Sequence, residues 1–362
     1  MPRIPQNPGD FPDKLVREES VRSVGQPGYG APGLRAEQLW RWEAPMARFV
    51  SAGEALVDII IREGETGPGT EVVGGSLLNV ASGVSRLGQH VELATWFGRD
   101  ERGERIASQA AAMGVEIVPG SDGASRTTTA SAFLDAEGRA RYEFDVESDL
   151  PEIPDPDTVG HLHCGSYSAV VGASSKKILR AVKRQALTGT VSYDPNARPD
   201  LMGSPEKVRE SIEELVALCD VVKASDEDLE WLYPGEPVER IMRRWVTSGP
   251  GMVVVTRGPW GAYVKLAGER DMLVVDPLNV ELGDTVGAGD SFMAGMLAGL
   301  MEAGLLGSVE AKQRLRAAHF SDVRPALHQA VITAGLTVSH DGAYSPTPAE
   351  VDTVRTGDPA LR

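Results

Sequence analysis

Two rhythms of apolar and polar residues take turns along this chain, one of period two and one close to 3.6. The first strand pattern covers 49–53, and Ile59-Ile60-Ile61 continues as β. Residues 62–73 are rich in Gly, Glu and Thr and read as loop. Gly74-Gly75-Ser76 opens a helix with the stripe Leu77, Val80, Ala81, Val84 and Leu87, and Gly88 stands where helices commonly end. A strand over 91–97 and a helix over about 101–113 follow. Segments 127–135 and 140–146 alternate strictly and are joined by Ala136-Glu137-Gly138-Arg139, a hairpin signal. Beyond Pro151, strands fit 161–165, 190–194, 220–223 and 252–257. Helices fit 174–188, 205–218, 226–233 and 236–247. Segments 262–266 and 272–275 read as a late antiparallel pair, and helices over 291–304, 309–319 and 324–338 close the pattern. The alternation predicts an α/β fold, a three-layer α/β/α sandwich with a mostly parallel central sheet. The hairpin predicts a small β lid, with lid segments over about 59–73 and 125–147.

Composition narrows this picture. Residues 1–45 are rich in Pro, Gly and charge and lack a sustained period, so they read as a disordered or loosely docked tail, with Leu39, Trp40 and Trp42 able to anchor a short piece. The functional domain is expected to start near Met46 and run to 362. The 362 residues suffice for a large core without staples. A formal net charge of -16 argues against nucleic acid or an anionic membrane as main partner. It leaves a nucleotide open, because a helix end binds phosphate locally. Cys164 and Cys219 stand far apart, in neither a CxxC nor a Cys/His cluster, and read as core residues in a reducing, cytoplasmic compartment. No apolar run is long enough for a membrane helix, and the N-terminus lacks a signal-peptide core.

The candidate chemistry gathers at strand ends. Asp284-Thr285-Val286-Gly287-Ala288-Gly289-Asp290 leads into a helix whose Phe292, Met293, Met296, Leu297, Leu300 and Met301 form one apolar face. The two glycines let unpaired first-turn amides approach an anion. Asp290 reads either as a helix cap or as a base taking a proton from an attacking hydroxyl. Asp58, Asn79, Asp194-Pro195-Asn196-Ala197-Arg198 and Thr256-Arg257-Gly258-Pro259-Trp260-Gly261 also fall past strand ends. In such a fold these can converge on one cleft. Each also has a structural reading: Asp58 at a bend, Asn79 bonded to its own backbone, 194–196 as a turn. Together they suggest phosphoryl transfer to an alcohol. Asp58 and Asn79 would grip hydroxyls, the glycine-rich helix start would neutralise the phosphoryl group, and Arg198 would add a fixed positive fork. GxxxxGK[ST], HExxH and GxSxG are absent.

Asp284-Thr-Val-Gly-Ala-Gly-Asp290-Ser-Phe resembles the DTxGAGDxF signature of the ribokinase-like (PfkB) carbohydrate kinases. Gly74-Gly75-Ser-Leu-Leu-Asn79-Val-Ala resembles their GGxxxNxA signature. Gly53-Glu-Ala-Leu-Val-Asp58 and Asp194-Pro-Asn196-Ala-Arg198 are similar to segments of the fructokinase and 2-keto-3-deoxygluconate kinase branch. The resemblance runs in order from about 48 to 350. It implies a ribokinase-like fold and transfer from ATP to a sugar hydroxyl, with Mg²⁺ and possibly K⁺. It implies Asp290 as base and Gly287, Ala288 and Gly289 as anion hole. Asp58, Gly74, Gly75, Asn79 and Arg198 would hold the sugar. Asp194, Asn196, Ser225, Thr256, Gly258 and Gly261 would line the nucleotide site. It implies a homodimer through the lid. Asp284 would set loop geometry or serve the monovalent cation.

Two departures shape the expectation. Where the family often carries Asn-x-x-Glu, this chain has Ser225-Asp226-Glu227-Asp228, so Asp228 is a shortened candidate metal ligand. The aromatic-aromatic-Arg lid segment of keto-deoxygluconate kinases is replaced by Tyr142-Glu143-Phe144-Asp145, which favours a neutral, fructose-like sugar. The alternatives are a 2-keto-3-deoxygluconate or nucleoside kinase, or a catalytically silent sugar-binding regulator.

Overall fold

The structure, a computed structural model, describes residues 15–16, 48–64, 67, 69–135, 140–154 and 160–361. The expected hairpin turn at 136–139 lies outside the described residues, as does the N-terminal tail apart from 15–16. The main sheet is built from β1 (Leu15–Val16), β2 (Arg48–Ala52), β5 (Val91–Ala94), β6 (Val115–Ile117), β9 (Gly160–Gly165), β10 (Thr190–Asp194), β11 (Val221–Ser225), β12 (Met252–Thr256), β13 (Ala262–Leu266) and β14 (Met272–Val275). Its order is β1-β14-β13-β12-β11-β10-β9-β2-β5-β6. All neighbours run parallel except β12–β13 and β13–β14. From β2 the chain builds outward to β5 and β6, then returns to β9 and builds the other way. The order therefore reverses between β2 and β9, and the crevice beyond their carboxyl ends is where such sheets bind ligands.

The two faces are covered separately, because strands this apolar need burial on both sides. On one face, α1 (Ser76–Arg86), α2 (Glu101–Ala112), α8 (Ala288–Glu302), α9 (Val309–Ala317) and α10 (Phe320–Val338) share a core with Phe49, Val91 and Val254. On the other, α3 (Gly172–Thr188), α4 (Pro199–Met202), α5 (Pro205–Leu218), α6 (Asp226–Leu232) and α7 (Val238–Ser248) pack on Val50, Val191 and Val253. Helix α11 (Pro348–Gly357) follows α10. The expected single apolar face of α8 understates its burial, since residues 290–300 are all buried. Small residues permit this. A Cβ on Gly83 of α1 would lie 2.6 Å from the Ala294 Cβ, and one on Gly299 would lie 2.7 Å from the Ala326 Cα.

The lid is a second sheet of β3 (Leu56–Arg62), β4 (Thr70–Gly74), β7 (Thr129–Leu134) and β8 (Ala140–Asp145), in the order β4-β3-β7-β8. Two readings are corrected here. The 62–73 stretch is not all loop, because Thr70–Gly74 pairs antiparallel with β3. The flap is not purely antiparallel, because β3 and β7 run parallel. Helix α10 also begins four residues earlier than expected. Asp322 Oδ2 accepts from the His319 amide at 2.8 Å, which starts the helix ahead of Pro325. The three residues of β6 carry too little pattern to be seen in the sequence.

Candidate active site

The glycine loop and the first glycine signature meet at Asp290. Gly287, at φ 75, is the N-cap of α8, and a Cβ there would strike Ala343. The helix thus begins at Ala288, not after Asp290, and Asp290 lies in its first turn rather than at its cap. The carboxylate turns to α1. Ser76 Oγ donates to its Oδ1 at 2.7 Å and Asn79 Nδ2 to its Oδ2 at 2.8 Å. Gly75, at φ 108, is the N-cap of α1. Two helix N-termini, each with unpaired amides and partial positive charge, converge on one carboxylate. Two of its roughly four acceptor positions are used, so it retains capacity for a hydroxyl proton. Of the expected anion-hole amides, that of Ala288 closes onto Thr285 O at 3.2 Å.

Beside this carboxylate lies a buried ion pair. Lys223 Nζ donates to Asp194 Oδ2 at 2.7 Å, with side-chain exposures of 5% and 1%. The same ammonium lies 3.2 Å from where a Gly289 Cβ would be, so that glycine admits it to the helix start. Burial works against the Lys223 charge, but Asp194, Asp228 and Asp290 outweigh it and hold its pKa above the ordinary lysine range. Asp194, expected at the nucleotide, is corrected to an internal counter-ion, its other oxygen accepting from the Asn196 amide at 3.2 Å. Asn196, at φ 35, bonds Ser76 Oγ through Nδ2 at 2.8 Å, which places it between the two glycine signatures.

The lid side of the crevice is acidic. A Cβ on Gly74 would lie 2.5 Å from Asp58 Oδ2, so Gly74 makes room for that carboxyl. Burial raises the Asp58 pKa to about 6, and the Arg198 guanidinium opposes the rise. Glu54 is pushed further, to about 7, by burial, against Ser166, Ser168 and Arg198. Arg198 is not a free fork. Its Nη1 donates to Asn196 O, Asn196 Oδ1 and Ala197 O at 2.7–3.1 Å. Its charge is felt at Glu54 and Asp58.

The expected nucleotide residues stand at neighbouring strand ends. Ser225 and Thr256 are paired in register, and Gly258 and Gly261 bracket a turn at φ 51 and 74. Ser225 caps α6 in a capping box with Asp228. The Asp228 oxygens accept from the Ala197 and Ser225 amides, both at 2.7 Å. Among the described residues no group of three or more His, Cys, Asp and Glu is placed to hold a metal ion. Each Asp228 oxygen is engaged by a backbone amide of this chain. Asp284 accepts from the Val286 and Gly342 amides, both at 3.0 Å, which is a loop clamp rather than an open cation ligand.

Ser76, Lys223 and Glu54 were not legible as site residues. A lysine inside the apolar run Val221-Val222-Lys223-Ala224 is the one signal that pointed to a buried charge.

Two helix starts, a held carboxylate and a lid meet at one crevice, the arrangement expected of a phosphotransferase with a hydroxyl acceptor. The profile described as pfkB family carbohydrate kinase matches residues 46–350, and the chain belongs to that family. It is 32% identical over 272 residues to the fructokinase of Rhizobium leguminosarum bv. trifolii, covering 71% of this chain and 81% of that protein. It is 34% identical over 264 residues to the fructokinase of Klebsiella pneumoniae, covering 70% and 84%. Its fold is similar to that of a Vibrio cholerae O395 fructokinase double mutant in its fructose, ADP and potassium ion bound form. That match has a TM-score of 0.71 at 24% identity and covers 85% of this chain and 98% of that one. The protein is a carbohydrate kinase. No helix among the described residues is long and apolar enough to cross a membrane.

The ion pair yields a stability prediction. Lys223→Met should lower stability at neutral pH by about 3–5 kcal/mol, because it strands a buried carboxylate. Burial already raises the folded Asp194 pKa to about 6 against the pull of Lys223, and removing that charge raises it further. The ionised form costs stability, so the deficit narrows as pH falls and the carboxyl protonates. Urea melts of both proteins from about pH 5 to 8 check this, and a deficit independent of pH contradicts it.

Proposed function

We propose that this kinase transfers the γ-phosphoryl group of ATP to a hydroxyl of fructose or a closely similar neutral sugar. The observation that carries the transfer is Asp290, held by Ser76 and Asn79 in the first turn of a glycine-started helix. In this reading Asp290 accepts the hydroxyl proton as the oxygen attacks phosphorus. The amides of Gly287 and Gly289 bind the phosphoryl oxygens, and Lys223 adds positive charge from below. Ser225, Thr256, Gly258 and Gly261 flank the nucleotide. Asp58 accepts sugar hydroxyls, Gly74 and Gly75 let the chain pass close, and Asn79 serves both sugar and base. Mg²⁺ would arrive on the ATP phosphates.

The acidic crevice supports a neutral sugar. A 2-keto-3-deoxygluconate carboxylate would meet Asp58, and two basic residues at the lid, Arg126 and Arg141, are engaged by Asp145 and Glu143. A nucleoside base would need an aromatic clamp, whereas Trp96 Nε1 is turned toward Glu147 and Phe97 is buried. The relatives' activity on fructose supports the same choice. A lid-to-lid homodimer belongs to this reading. Val72 and Tyr142 are exposed on the lid, and Tyr142 stacks on Phe144. Light scattering should report a dimer, and Tyr142→Glu a shift toward monomer; a monomeric wild type contradicts it.

A sugar panel with ATP tests the main reading, and fructose should be the preferred acceptor. Asp290→Asn should cut kcat by about 10²–10⁴ while substrate binding persists. Near wild-type turnover in that variant refutes the base. The Asp58 carboxyl, at about 6, should appear in the pH profile. The ionised form accepts hydroxyl protons, so kcat/KM for the sugar should fall about tenfold per pH unit below that value. Asp58→Asn should remove this limb, and a profile identical to wild type would exclude the assignment.

A further inference from the structure

Two chain crossings join the lid to the main sheet. Gly53-Glu54-Ala55 carries the chain from β2 into β3, and Gly74-Gly75 returns it from β4 into α1. The crossings touch. A Cβ on Gly75 would fall 2.7 Å from Glu54 O and 2.8 Å from the Ala55 Cα. Ala55 N donates to Thr95 Oγ1, just beyond β5, at 2.9 Å. The Glu54 side chain reaches the other way. Its Oε2 accepts from Ser168 Oγ at 2.8 Å, and both residues are buried. Ser168 stands on the short turn Tyr167–Ala169 after β9. Glu54 therefore bridges β2 and β9, the strands between which the sheet order reverses.

The turn it reaches is strained. Ser166 enters it at φ 54, ψ −162, a region close to glycine-only, and is fully buried. Its N–H donates to Asp194 O at 2.9 Å, which ties the turn to the end of β10. Such a backbone persists only where surrounding contacts over-determine it. A buried carboxyl and a strained residue at one hinge mark a point that the fold holds against its local preferences. The titratable and charged groups facing Glu54 are Tyr167 and Arg198. Arg198 also acts on Asp58, so hinge and crevice share one charge.

We infer that Glu54 is a positioning residue: tied to Ser168, it fastens the lid hinge to the switch point of the sheet and so holds Asp58 and Gly75 in place for the sugar. The inference rests on the reading that the sugar binds against Asp58. Glu54 touches no reacting atom in it.

Three variants separate the tie from the charge. Glu54→Gln keeps an acceptor for Ser168 and removes the charge. Glu54→Ala and Ser168→Ala remove the tie, and Ser168→Ala deletes only one hydroxyl should Glu54→Ala fail to fold. In hydrogen exchange of the free protein, amides of β3 and β4 should exchange about tenfold faster in both alanine variants. Those of β10 and β11 should stay at wild-type rates, and Glu54→Gln should match wild type throughout. With the sugar the wild type turns over, the alanine variants should raise sugar KM about tenfold with kcat and ATP KM within about threefold. Glu54→Gln should keep sugar KM within about threefold. Unchanged lid exchange in Ser168→Ala, faster exchange spread over the main sheet, or Glu54→Gln behaving like Glu54→Ala overturns the inference. The exchange measurement needs no sugar, so a wild type inactive on fructose refutes only the substrate reading.

Discussion

The Asp290 carboxylate, in the first turn of α8, joins that helix start to the start of α1 through Asn79 and Ser76, 211 and 214 residues away in sequence. Much of the site depends on that junction. A carboxylate in the first turn of a helix lies in a favourable dipole field, and here two such fields overlap. The same fields favour an anion at the crevice end of both helices. The junction requires α1 and α8 to approach closely. The small residues Gly83 and Ala294 allow this, and the Gly75 and Gly287 caps let each helix begin at the crevice. Packing at the helix faces and chemistry at the helix ends are thus one constraint.

Beneath the junction, charges alternate in a way that explains several expected ligands as internal partners. Asp194 neutralises Lys223, and Lys223 stands under Gly289. Asp228 satisfies two backbone amides, and one of them, Ala197, lies on the segment carrying Asn196 and Arg198. A buried charge that lacked its partner would cost several kcal/mol. The acids around Lys223 therefore serve first to keep an ammonium charged at the helix start. Their residue type reads as ligand, but their burial assigns them a different task.

The α/β alternation, the lid and both glycine signatures were legible because period and turn chemistry are local properties. Thr70–Gly74 was not, since its strand character comes from pairing with β3 and its flanks are rich in glycine. The role of Asn79 was half legible: its place on α1 is local, while its bond to Asp290 is not. Lys223 and Glu54 were hidden for opposite reasons. One interrupts an apolar strand and reads as a flaw in the pattern. The other sits in Gly53-Glu54-Ala55, where an exposed acid is unremarkable. Only the strand order, which brings the ends of β2 and β9 together, shows that Glu54 is buried against Ser168.

That strand order also answers how a protein with a formal net charge of -16 can handle a polyanion. Net charge acts at long range and is screened over about 8–10 Å in salt, whereas a helix start and a buried ammonium act at contact. Lys223, Gly289 and the first turn of α8 lie together at one side of the crevice, and Asp58 stands on its lid side. In the proposed reading the helix start takes the nucleotide phosphate, and the acidic lid side repels it. A neutral hydroxyl is free to approach the acidic end. The proposed reaction would thus have its two substrates sorted by the crevice itself, with the carboxylate of Asp290 where the two ends meet.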